Sequence, residues 1–158
     1  MNGSLRNGEM NNHAIIEILV QEFEAHYDDA TKLLSGTFHC SSDIFEWLQS
    51  QAHCSQESFW VLLLNNKHRL LRRIRVTKGL VNRSLVHPRE VFREAIKDNA
   101  SAVILAHNHP SGCPEPSVED VRITERLVDA GKIIGIPVLD HLILGDGTYY
   151  SFSDNQRL

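Results

Sequence analysis

The sequence predicts one mixed α/β domain. Three observations carry that expectation. Apolar runs of strand length stand at Phe59–Leu64, Ala102–Ala106 and Val138–Leu144. Segments with helical spacing of apolar residues alternate with them, and Gly and Pro punctuate the joins. The chain has 158 residues, enough for a single domain with a full core.

Taken in order, residues 1–11 are rich in Asn, Gly and Ser and have little to bury, so they are expected to be disordered. From Asn12 to about Tyr27, Ile15, Ile16, Leu19 and Phe23 recur at helical spacing. Leu34–Cys40 reads as a linker or an edge strand. A short helix is expected over Asp43–Gln51, capped by Ser42, with Ile44, Phe45, Trp47 and Leu48 as its apolar residues. Phe59–Leu64 is a buried strand, Asn65-Asn66-Lys67 a turn, and Arg69–Val76 its hairpin partner. Gly79 breaks the chain, and Leu80–Val86 can form a third strand.

Pro88 suits the first turn of a helix that His87 caps. That helix runs to about Asp98, with Val91, Phe92, Ala95 and Ile96 inward. Ala102–Ala106 is the next buried strand, and a loop holding Pro110, Pro114 and Pro116 follows it. Ser117 opens a helix with Val121, Leu127 and Val128 inward, stopped at Gly131. Val138–Leu144 is a strand, Asp146-Gly147 a tight turn and Thr148–Phe152 the returning strand. A long helix is expected on each side of one sheet.

Composition excludes several classes. Hydrophobic residues make up 42% and charged residues 23%, which is ordinary for a globular chain. No apolar run approaches the roughly 18 residues of a membrane span. The first dozen residues lack an apolar signal core. Three cysteines, Cys40, Cys54 and Cys113, form no CxxC pair, which suits a reducing, cytoplasmic compartment. Net charge is −4, against a dedicated DNA binder. Its distribution is uneven: residues 1–58 hold nine acidic and two basic side chains, whereas residues 67–93 hold nine basic ones and a single acid, Glu90. That basic segment is either a solvated strand edge, the plainer reading, or a face for nucleic acid.

The stretch that carries chemistry is His107-Asn108-His109-Pro110, followed by Ser117 and Asp120. Residues two apart on extended backbone face the same way, so both imidazoles can reach one ion. Asp120 stands in the first turn of the next helix, and the Pro-rich loop can fold that turn over the strand end. Two His and one Asp leave zinc a fourth position for water, the catalytic arrangement, whereas structural sites are closed by four protein ligands. Each piece has a plainer explanation on its own. His-x-His is a weak signal, and Ser117-x-x-Asp120 is also a helix-capping pattern. The two readings are compatible, since a cap fixes the turn on which Asp120 stands.

This arrangement resembles a known family. His107-x-His109, seven residues, Ser117, two residues and Asp120 match the JAMM signature of JAB/MPN-domain metallohydrolases. HNHPSG with the later Pro-Ser and Asp120, together with His87-Pro88-Arg89-Glu90-Val91-Phe92, Asn99-Ala100 and Leu139-Asp140-His141, is similar to the bacterial RadC branch. The resemblance covers residues 37–158 and implies a JAB/MPN-type mixed sheet flanked by helices, with cytidine-deaminase-like layering. Residues 1–36 are left as a disordered start plus a helical segment, with no helix-hairpin-helix pattern, which implies a short form.

What the resemblance implies for function is a zinc-dependent hydrolase that cleaves a peptide or isopeptide bond in a protein substrate. One Zn2+ per chain would be held by His107, His109 and Asp120. Glu57, just before the Phe59 strand, would be the general base, and Ser117 would help hold the oxyanion. The alternative is a RadC-like DNA-repair or mobile-element accessory that acts by binding, through the basic segment 67–93. Asp140-His141 either orients a ligand imidazole or is an ordinary buried pair. Cys113 either approaches the metal or is a plain loop residue, and Asn108 points away from the histidines and braces the loop. An HNH nuclease is not implied, because that family's three residues are dispersed over a longer motif. Zinc deaminases need a PCxxC element and other zinc enzymes an HExxH, and both are missing.

Overall fold

The protein is described by a computed structural model, which covers residues 37–79 and 86–158. The expectations for residues 1–36, and for the Leu80–Val86 strand up to residue 85, lie outside the described residues.

Helix α1 spans Ser41–Ala52, strand β1 Ser58–Leu64 and strand β2 Leu70–Lys78. Helix α2 spans Pro88–Lys97, β3 Ala102–Asn108 and helix α3 Val118–Ile134. Strands β4, Val138–Leu144, and β5, Tyr149–Ser151, complete the fold. The five strands lie in the order β2-β1-β3-β4-β5. Pairing is antiparallel except between β3 and β4, which are parallel. A parallel pair needs a long crossover, and the loop with α3 supplies it. The architecture is the α/β, mixed-sheet one expected.

Every residue of β1 and β3 is buried. Both strands are covered on both faces, which is why their sequences are continuous apolar runs instead of alternating ones. On one face Ile44, Phe45, Leu48 and Ala52 of α1 meet Trp60, Leu62, Leu64, Ile104, Ala106 and Leu142. On the other, Val91, Phe92 and Ala95 of α2 and Leu127 of α3 meet Phe59, Val61, Leu63, Val103 and Leu105. This corrects the expected placement of one long helix on each side: α2 and α3 share a face, and α1 takes the other.

Local chemistry sets the element ends. Asn65 closes the β1–β2 turn by accepting the Lys67 and Arg69 amides on Oδ1, at 2.9 and 3.1 Å. His87 caps α2 by accepting the Arg89 amide on Nδ1 at 3.2 Å, as expected. Three local expectations are corrected. The N-cap of α1 is Cys40, not Ser42, and it makes no side-chain cap bond; instead Asp43 reaches back to the His39 amide at 2.8 Å. Ile96 is 59% exposed, because it lies off the stripe set by Val91, Phe92 and Ala95. Gly131 does not stop α3, which continues to Ile134 and ends at Gly135 in the left-handed conformation, φ 82°. Gly131 is glycine for room: a Cβ there would stand 2.6 Å from the Ile136 carbonyl oxygen.

No helix among the described residues is long and apolar enough to cross a membrane. Much of the basic segment is engaged locally. Arg72 pairs with Glu94 and Asp98, Arg89 with Glu90, and Arg93 with Glu90 and Glu94, while Arg73 lies 5.2 Å over the Trp47 ring. Arg72 first, then Arg93 and Lys97, push the Glu94 carboxyl down to about 2. A depressed carboxyl adds stability above its unfolded value, and that contribution is lost as pH falls toward about 2. Carbon-detected NMR titration should find Glu94 near 2 in the wild type and closer to an ordinary glutamate in Arg72→Ala. A wild-type Glu94 titrating normally would mean that the cluster does not form.

Candidate metal centre

The centre is built on the end of β3. Antiparallel pairing sets Phe59 opposite His107, so the residues just before β1 approach those just after β3. Asn108, wholly buried, secures that approach. Its Oδ1 accepts the Ser58 amide at 2.9 Å, and its Nδ2 donates to the Cys54 and Gln56 carbonyls at 3.1 and 3.3 Å. The bonds flank Glu57 on both sides. The loop that Asn108 braces is therefore the one leading into β1, fifty residues upstream.

His107 and His109 project together, with their Nε2 atoms 3.0 Å apart. Asp120 joins them from the first turn of α3: Oδ1 lies 3.2 Å from His107 Nε2 and Oδ2 lies 3.4 Å from His109 Nε2. A carboxylate oxygen of Glu57 and a nitrogen of each of these imidazoles lie within 4.8 Å of one another. Ser117 caps α3 through a reciprocal box, its Oγ accepting the Asp120 amide at 3.2 Å. The Ser117 amide and hydroxyl both donate to Asp120 Oδ2, at 2.7 and 2.6 Å. The cap and the carboxylate's place at the centre are thus one structure, as the paired reading of Ser117 and Asp120 requires. All five residues singled out from sequence meet at one strand end.

The rings are oriented from behind. His109 Nδ1 donates to the Cys113 carbonyl at 2.8 Å, which turns Nε2 toward the centre. Cys113 therefore contributes its main chain, and its thiol is exposed. His107 Nδ1 lies 2.9 Å from His141 Nε2, and His141 Nδ1 lies 2.6 Å from the Thr124 hydroxyl. Asp140 faces elsewhere, accepting the His141 and Ser153 amides and the Ser151 hydroxyl. The pair Asp140-His141 is thus divided: His141 touches a candidate ligand, and Asp140 ties β4 to the residues around β5.

Burial holds His107 below the usual imidazole value, against the pull of Asp120. It holds His141 well below that value, aided by repulsion from His107. Burial alone would raise Asp120, but its hydrogen bonds with His107, His109 and Ser117 outweigh that and keep the carboxyl ionised. Asp140 is raised by burial. The centre thus gathers imidazole nitrogen and carboxylate oxygen within 3.0–3.4 Å, a set that fits a divalent cation favouring N and O ligands.

Two contributors escaped the sequence reading. Thr124 stands one helical turn after Asp120, and that i to i+4 relation was its only signal. Gly145 lies where the metal-site loop crosses the β4–β5 turn. A Cβ there would collide with the Gly112 carbonyl and lie 2.9 Å from Pro114 Cδ, while the Asp146 amide donates to Gly112 O at 2.9 Å. Nothing in the local pattern marks that crossing.

The chain matches the RadC-like JAB domain over residues 38–157. It is 53% identical over 116 residues to a UPF0758 protein of Pelobacter propionicus, an alignment covering 73% of this chain and 51% of that protein. A UPF0758 protein of Symbiobacterium thermophilum is 56% identical over 116 residues, covering 73% and 50%. One of Alkaliphilus oremlandii is 51% identical over 111 residues, covering 70% and 48%. The chain spans about half the length of these curated relatives.

Asn108 gives the test of how the upstream loop is held. Asn108→Ala leaves the buried Ser58 amide without its partner, worth about 1–3 kcal/mol when unsatisfied, and frees the Cys54 and Gln56 carbonyls to water. The variant should melt several degrees lower, and exchange at the Ser58 amide should accelerate. Wild-type exchange at Ser58 would show that the clamp is dispensable.

Proposed function

The chain belongs to the RadC-like JAB domain family, and on that premise we propose that it is a zinc-dependent hydrolase acting on a peptide or isopeptide bond of a protein substrate. The observation that carries the reading is the convergence of His107 Nε2, His109 Nε2 and the Asp120 carboxylate, with Glu57 beside them. These three would hold one zinc ion and leave a coordination position open. Zinc held there would polarise the scissile carbonyl and acidify a water.

The chain's own residues do the rest. Glu57 takes the proton that the attacking water sheds and passes it to the leaving nitrogen. Ser117 donates to the oxyanion that develops on the carbonyl. Its hydroxyl donates to Asp120 here, so that role requires it to turn from Asp120 toward the substrate. Asp120 keeps the hydrogen bond from the Ser117 amide, and His107 and His109 stay oriented by the groups behind them. Three free cysteines suit a reducing, cytoplasmic setting.

The alternative, an accessory protein that acts by binding DNA, rests on the basic segment. Arg72, Arg89 and Arg93 already face carboxylates, which reduces the charge available to phosphates.

Elemental analysis should find one zinc per chain, abolished by His107→Ala. Glu57→Gln should keep zinc and melt within a few degrees of the wild type. Its turnover should fall by about 10²–10⁴-fold, read by mass spectrometry on a library of peptides and isopeptide-linked conjugates. Full zinc occupancy after His107→Ala with His109→Ala would overturn the centre. Unchanged turnover in Glu57→Gln would remove the base. A salt-dependent DNA shift with no cleavage product would favour the binding reading.

A further inference from the structure

We propose that Thr124 and His141 are positioning residues that lock His107 in the tautomer whose Nε2 lone pair faces the metal centre. The inference rests on the metal reading for its purpose but not for its geometry.

Thr124 Oγ1 lies 2.6 Å from the Asp120 main-chain carbonyl, and a carbonyl only accepts, so the single hydroxyl hydrogen is committed there. Oγ1 also lies 2.6 Å from His141 Nδ1. With its hydrogen spent, Thr124 must accept, so His141 carries its hydrogen on Nδ1. His141 is wholly buried, with Phe152 stacked at 5.2 Å and Phe59 tilted at 5.5 Å, surroundings that favour a neutral ring. A neutral ring protonated on Nδ1 has a lone pair on Nε2. That atom lies 2.9 Å from His107 Nδ1, which must therefore donate. In a neutral His107 this leaves Nε2 as the lone-pair nitrogen that a cation can take, 3.2 Å from Asp120 Oδ1 and 3.0 Å from His109 Nε2, where without a cation a shared proton bridges the three groups.

The path closes on itself. It leaves Asp120 by its main chain, runs through Thr124, His141 and His107, and returns to the Asp120 carboxylate. Helix α3 and strands β3 and β4 are held to one another by the same bonds that orient the ligand. His109 is oriented separately, through the Cys113 carbonyl. It is an internal control that loss of Thr124 should leave untouched.

The test uses the full chain and begins without metal. Long-range proton–nitrogen NMR should show His107, His141 and His109 each protonated on Nδ1. Thr124→Val keeps the shape and removes the hydroxyl. It should shift His107 toward a mixture of tautomers, leave His109 as it was, and weaken zinc binding by about 10–100-fold. Thr124→Ser should restore both the spectrum and the affinity. His107 protonated on Nε2 alone, with Nδ1 bare, in the wild type would overturn the proposal without any variant being needed. So would a Thr124→Val protein with wild-type tautomers and zinc affinity. A wild type with the expected tautomers that binds no zinc would instead sink the metal reading and leave the relay standing.

Discussion

The structure depends first on the antiparallel pairing of β1 with β3 at the centre of the sheet. Both strands are covered on both faces, so neither can slip by a residue without moving a full set of apolar side chains to the wrong layer. That register places Phe59 against His107, with their rings stacked at 5.9 Å, and carries Glu57 to the strand end where His109 lies. Residues distant in sequence become neighbours through that register. Asn108 converts the alignment into a fixed loop by satisfying groups on either side of Glu57. Its own side chain can do so because it alternates with the histidines and points away from them.

A cost accompanies this placement. His107, Asp120 and His141 are all nearly inaccessible to water, and polar groups in such surroundings are tolerable only when paired. The structure meets the requirement with two independent supports. One is the chain through Thr124, and the other is the Cys113 carbonyl behind His109. The Gly112–Gly145 crossing then presses the loop that carries Cys113 against the β4–β5 turn. Strand β3 and helix α3 supply His107 and Asp120, and a tightly packed loop orients His109 on the more exposed side.

The sheet and its central strands were legible because burial on both faces writes itself as continuous apolar sequence. His107, His109, Ser117 and Asp120 were legible because extended backbone and a helix cap both impose fixed spacings. Glu57 was reachable only through a family resemblance, since its partner relation is set by strand register, which has no local signature. The errors have equally physical causes. Gly131 looked like a stop because glycine often ends helices, yet here the close Ile136 carbonyl demands it. Ile96 fits a helical period when the stripe is drawn too wide. Asp140 and His141 are adjacent in sequence, but alternation along β4 sends them to opposite faces, and only the fold reveals which face holds the centre.

Asp120 is where stability and chemistry cannot be separated. Its main-chain amide is capped by Ser117, its carbonyl accepts from Thr124, one carboxylate oxygen faces His107, and the other accepts two hydrogens from Ser117. A helix N-terminus favours negative charge, which adds to the contacts with His107, His109 and Ser117 that keep the carboxylate ionised. Removing the carboxyl would undo the start of α3 along with the site, and a loss of metal alone could not say which came first. Thr124 and His141 lie one step behind, and the tautomer of His107 separates their orienting role from their part in holding α3 to the sheet. They touch the centre only through hydrogens whose positions can be observed directly, and for that reason the logic of the site is read more cleanly from its supports than from its ligands.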